Sequence, residues 1–126
     1  MRAFIVTAED RPGTVARLTN AIARRGIDLL GFAGVANGQS GLIALIGADD
    51  AGVRAALAEL GVRALEAELV TADIENRPGG IAEVAQRLAD AGVNLLLIAP
   101  GGMNGDRVTV AFGASDTGLL RRTLTV

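Results

Sequence analysis

The sequence contains no cysteine and no histidine. These two absences remove disulfides, thiolate and imidazole metal sites, cysteine nucleophiles and every histidine-dependent acid/base scheme. Neither a metal, a cofactor nor a catalytic residue is therefore expected, and a non-enzymatic protein is the reading. Aromatic residues are scarce as well: Phe4, Phe32 and Phe112 are the only three, although half of the chain is apolar. The core must then be built from Ala, Val, Leu and Ile in small, closely packed elements. A formal charge of −2 over 126 residues gives no general attraction to nucleic acid or to an anionic membrane. No apolar run approaches the length of a membrane span, and the stretch from Met1 to Ala8 meets the acidic Glu9-Asp10 too early for a signal peptide. The expectation is a soluble cytoplasmic protein that binds neither nucleic acid nor membrane.

What is present is a repeat. Asp10-Arg11-Pro12-Gly13-Thr14-Val15 occurs again as Asn76-Arg77-Pro78-Gly79-Gly80-Ile81, at an offset of 66. The same offset aligns Gly26 with Gly92, Leu29-Leu30 with Leu95-Leu96, Gly47-Ala48 with Gly113-Ala114 and Gly52 with Gly118. The chain thus reads as two modules, residues 1–66 and 67–126. Modules of this size bury little area when isolated, so a shared interface between modules is expected.

Each copy opens with a short β-branched run, Ala3 to Ala8 or Glu68 to Ile74, that enters the Arg-Pro-Gly turn. A helix follows, with Val15, Leu18 and Ile22, or Ile81, Val84 and Leu88, at helical spacing on one face. Gly26 and Gly92 stand at the C-cap positions, and Pro12 near the first helical turn. Ile27 to Val35 and Leu42 to Ile46 read as strands joined by an Asn37-Gly38 hairpin. Asp49 or Asp50 caps a second helix that runs to Leu60 and Gly61, and Val62 to Leu65 is a possible further strand. In the second copy the strands are Val93 to Ala99 and Val108 to Phe112, with a turn at Met103 to Asp106 and a last helix capped by Ser115 or Asp116. That helix or its following strand is shortened: either Thr123 to Val126 is an edge strand or the strand is absent. The β-α-β-β-α-β order predicts an α+β fold of two ferredoxin-like modules, each an antiparallel sheet with helices packed on one face.

That fold hosts several functions, so the site has to choose among them. RNA recognition requires stacking aromatics on the central strands, and Leu42 to Ile46 and Val108 to Phe112 carry no aromatic ladder. Metal carriage in the first loop requires cysteines. An acyl-phosphatase requires a phosphate-holding arginine there, which leaves Arg11 and Arg77 as a weak enzymatic reading. The remaining feature is a pair of helix N-termini, at Gly13-Thr14-Val15 and Gly79-Gly80-Ile81. Their first N–H groups have no intrahelical acceptors, and the helix dipole favours an anion such as a carboxylate. An Arg-Pro-Gly sequence before a helix also serves as a plain turn, and duplicated folds repeat their turns.

Glu9 to Ala16 followed by Arg24-Arg25-Gly26-Ile27-Asp28, and Glu75 to Ala82 followed by Asp90-Ala91-Gly92-Val93-Asn94, resemble the ACT-domain family over nearly the whole chain, twice. The chain is similar to small tandem-ACT proteins without a catalytic domain. The resemblance implies a regulatory module that binds amino acids where paired domains meet, the turn of one facing the start of the second strand of its partner. By position, Asn76 and Asn94 match the polar pair of amino-acid-binding members, with Asp10 and Asp28 in the first copy. The two expected sites pair the Asp10-to-Val15 turn with Asn94, and the Asn76-to-Ile81 turn with Asp28. A helix N-terminus beside an Asp or Asn complements a carboxylate and an ammonium together. Ala8, Gly31, Ala33, Gly34 and Ala99 are the expected lining, while Arg11 and Arg77 are expected to be solvated or interface-facing. A homodimer or higher oligomer and a regulated enzyme are the expected partners. The alternative is an interaction module that assembles with itself or an enzyme.

Overall fold

The structure, a computed structural model, describes residues 1–125 and forms two compact units, Met1–Glu66 and Ala67 onward. The first contains β1 (Arg2–Glu9), α1 (Thr14–Ala23), β2 (Leu29–Ala36), β3 (Ser40–Gly47) and α2 (Asp50–Glu59). Next comes β4 (Ala64–Glu75), and the second unit continues with α3 (Gly80–Asp90), β5 (Leu95–Asn104), β6 (Arg107–Ala114) and α4 (Thr117–Leu124). The fold is α+β in a βαββαβ-like order, with β4 ending the first run of elements and opening the second.

Within the first unit β3 pairs antiparallel with both β1 and β2, Phe4 opposite Leu45 and Phe32 opposite Leu45 on its other side. Alternation along β1 and β3 sends Phe4, Val6, Ile43 and Leu45 to one face, where Leu18, Ala21 and Ile22 of α1 and Val53, Ala56 and Leu57 of α2 cover them. In the second unit β6 holds the same place between β4 and β5. Its core is Ile74, Val110 and Phe112 against Leu88 of α3 and Leu120 of α4. Phe4 and Phe112 are fully buried, so two of the three aromatics anchor one core each.

The structure decides three points that the sequence left open. Val62 to Leu65 is not a separate strand: β4 is continuous for 12 residues and includes the expected Glu66-Ala67 join. Its charged Glu66 is held by Arg54 of α2, whose Nε and Nη2 donate to the two carboxylate oxygens at 2.8 and 2.7 Å. Val15 and Ile81 do not enter the cores, because they are 55% and 45% exposed in the first turns of α1 and α3. Thr123 and Leu124 lie in α4 rather than in an edge strand, while Val126 lies outside the described residues. The helix persists because Asp116 caps it, its Oδ1 accepting from Leu119 N at 3.0 Å, and because Leu120 is fully buried. Leu120→Ala is expected to lower unfolding stability by about 3 kcal/mol, the cost of a core cavity, as read from chemical denaturation.

Candidate functional site

The two helices of each unit begin differently. Asp49 and Asp116 precede α2 and α4 in extended conformation, and each side chain accepts from a backbone N–H of the first turn. By contrast, α1 and α3 start from Gly13 (φ 94°) and Gly79 (φ 87°), which have no side chain to cap with. A left-handed backbone at this point requires glycine. The result is a helix N-terminus with no side-chain cap.

The turns brace themselves from within. Arg11 N donates to Glu9 O at 3.0 Å and Arg77 N to Glu75 O at 2.9 Å, the same bond in both units. The Thr14 hydroxyl donates to the carbonyls of Glu9 and Arg11, each at 3.2 Å. Gly80, its counterpart, instead donates its N–H to Arg77 O at 3.0 Å. A Cβ at Gly80 would stand 2.3 Å from Glu75 O, so this turn is closed to side chains where the first admits threonine.

In the first unit a groove of about 280 Å³ opens beside the turn, with Asp10, Arg11, Thr14 and Val15 along one side and Gly34, Val35 and Leu42 along the other. Ala8 and Gly34, both expected as lining, are there. Gly31 and Ala33 do not line it.

Asp10 and Asp28 are not brought together within one unit. Glu9 pairs with Ser40 at one end of β3, whereas Leu29, next to Asp28, pairs with Gly47 at the other. Seven strand residues separate these ends, roughly 23 Å at the usual rise. The second unit repeats this, Glu75 opposite Arg107 and Leu95 opposite Ala114. Asp10, Asp28, Asn76 and Asn94 are all exposed. Asn76 N donates to Asp106 O at 2.7 Å, tying the second turn to the β5–β6 hairpin.

The arginines of the two turns stand in different surroundings. Arg77 is clamped: its Nε lies 2.6 Å from Glu75 and its Nη2 2.8 Å from Glu83. The Arg77 guanidinium holds the Glu75 carboxyl below the usual glutamate range, and both carboxylates push Arg77 further up. Arg11 has a looser contact, 3.4 Å to Glu9. Position 83 is matched at the repeat offset by Arg17, so the second clamp is absent from the first turn. This inversion was readable in the aligned sequence, but only the fold shows that the residue on the helix faces the turn arginine.

No family model and no curated protein matches this sequence. Solved structures match in fold. A protein of Bacteroides thetaiotaomicron is similar with a TM-score of 0.82 at 20% identity, over 98% of this chain and 85% of that one. The ligand-free regulatory subunit of aspartate kinase from Thermus thermophilus is similar with a TM-score of 0.64 at 22% identity, over 95% and 87% of the two chains. That from Thermus flavus gives 0.65 and 22%, over 98% and 89%. The chain therefore has the fold of these regulatory subunits, and this agrees with the tandem ACT-like architecture that its two turns imply.

Two outcomes follow. Gly80→Ala is expected to cost about 1–3 kcal/mol in thermal or chemical unfolding through the clash with Glu75 O, while Gly102→Ala, in open space, stays within about 0.5 kcal/mol. Because the folded-state value of Glu75 is depressed, its contribution is present above the ordinary glutamate value of about 4.3 and is lost as pH falls through the lowered one. An NMR titration should place Glu75 below that ordinary value, and Arg77→Gln should return it upward.

Proposed function

We propose that the protein is a regulatory module that binds α-amino acids and performs no chemistry of its own. The observation that carries this reading is the contrast between helices: α2 and α4 are capped by their own aspartates, whereas α1 and α3 present uncapped N-termini at the repeated turn. An amino-acid carboxylate satisfies those N–H groups and the helix dipole. Its ammonium then requires an acceptor, and the exposed carboxylate or amide of Asp10, Asp28, Asn76 or Asn94 is of the right type. Since each turn is roughly 23 Å from the second-strand start of its own unit, Asp28 and Asn94 do not complete a site at the turn of their own unit.

The regulatory subunits of aspartate kinase that share the fold support a regulatory role and an enzyme as partner. The absence of cysteine and histidine, together with the carboxylates that occupy Arg77, supports a non-catalytic protein.

A second reading, an assembly module, is favoured by one observation. Leu30 and Phe32 of β2 and their repeat counterparts Leu96 and Ile98 of β5 are 60%, 75%, 40% and 50% exposed. Repetition of apolar exposure on both strands supports a homodimer or higher oligomer.

A thermal-shift and calorimetric screen of the twenty amino acids separates the readings. The amino-acid reading expects at least one saturable response, weakened about tenfold by Asn76→Ala or Asn94→Ala in a folded protein. Silence from all twenty, combined with a concentration-dependent mass in light scattering, leaves the assembly reading standing instead.

A further inference from the structure

The duplicated turns differ in charge, since Arg17 of the first is matched by Glu83 of the second, and the difference falls on a pocket. Beside the first turn, sharing Glu9, Arg11 and Thr14 with the groove, lies a pocket of about 210 Å³ that is also lined by Arg17 and the buried Leu18. Two guanidinium groups therefore line it against one carboxylate. Asp10 borders the neighbouring groove and does not line this pocket. Arg17 is positioned from outside its own helix: its Nη2 donates to Leu60 O, at the end of α2, at 3.3 Å. One fork is thus held in place while the rest of its donors stay available. Arg11 keeps most of its donors too, since its contact to Glu9 is the loose one at 3.4 Å. Neither guanidinium has the pair of close carboxylates that Arg77 has.

The second unit shows what the same backbone does when this chemistry is removed. Glu83 stands where Arg17 would, and Asp73 where Thr7 would. Arg77 spans Glu75 and Glu83, and Arg107 donates to Asp73 O at 3.3 Å. Two carboxylates then hold the one turn arginine, while the Asp73 carboxylate accepts from the Thr109 hydroxyl at 2.6 Å, so the second turn is satisfied by its own side chains.

We propose that the pocket of the first module binds a small oxyanion group, a carboxylate or a phosphate, between Arg11 and Arg17, and that the second module does not. Planar guanidinium forks match the oxygens of both groups, and two of them around one pocket supply the charge a single exposed arginine lacks. The inference stands apart from the amino-acid reading, because the binding group is an anion and no ammonium is required.

The test is a side-chain NMR titration of the full chain at constant ionic strength, with inorganic phosphate and with succinate as probes. Saturable movement of the Arg11 and Arg17 Nε–H signals, with Arg77 still, is the expected result. Arg17→Glu, which copies the second module at an exposed helix position, should weaken binding about tenfold or more, and Arg11→Gln similarly. An unchanged backbone spectrum establishes that both variants fold. Tighter phosphate identifies a phosphate source and tighter succinate a carboxylate source, and both support the proposal. Signals that do not move, that drift linearly with either anion, or that titrate identically in Arg17→Glu overturn it. Neither probe carries an ammonium, so this result and the amino-acid screen fail independently.

Discussion

Each module depends on how the chain leaves its first strand and enters its first helix. Gly13 and Gly79 make this passage with positive φ, and their lack of a side chain is as consequential as their backbone freedom. An aspartate in extended conformation, as before α2 and α4, brings its own acceptor and closes the helix end. A glycine in the left-handed region brings none. One backbone choice therefore both permits the tight turn and leaves a polarised helix end without a cap. The carbonyl of residue 9 or 75 then becomes the anchor, accepting the N–H of the following arginine in both turns. The uncapped helix end is a by-product of folding geometry, and the side chains around it set the charge it presents.

The two copies show such a decision made twice. The first places Thr14 against the Glu9 and Arg11 carbonyls, while the second places Gly80 so close to Glu75 O that no Cβ fits. The first leaves Arg11 loosely held and the second clamps Arg77 between two carboxylates. These exposed pairs add little to stability, since surface ion pairs rarely contribute above about 1 kcal/mol. Their effect is on charge presented to solvent, and the modules differ more in that than in fold.

Much of the fold was legible because its signals are local. The offset of 66 exposed the duplication, Asn37-Gly38 marked the first hairpin, and Asp49 and Asp116 marked the starts of α2 and α4. Non-local facts were not legible. The sequence places a module boundary between Glu66 and Ala67, yet the strand passes through it, and Glu66 pairs there with Arg54, twelve residues earlier. Val15 has the spacing of a core residue, yet it borders the groove, because helical periodicity specifies a face and not how far the sheet beneath it extends. Of the site, the turns were readable as short motifs. The roughly 23 Å separation of Asp10 from Asp28 required strand register.

That separation links the ligand and assembly readings. Among the described residues β2 pairs with β3 alone and β5 with β6 alone within their modules, so each presents an edge, and an unpaired edge with exposed apolar residues favours a partner. The two edges are unequal. Residues Leu29–Ala36 of β2 carry no charge and no proline, whereas β5 is broken by Pro100 and a register shift before Gly102. Proline removes a ladder donor, which shortens the usable length of β5. Asp28 and Asn94 sit immediately before these strands, so a neighbour that covers an edge also covers the polar residue beside it. The assembly and amino-acid readings proposed above therefore draw on one surface. Under those two proposals the readings are linked: a ligand whose affinity depended on a neighbour would stabilise the assembly by that same free energy.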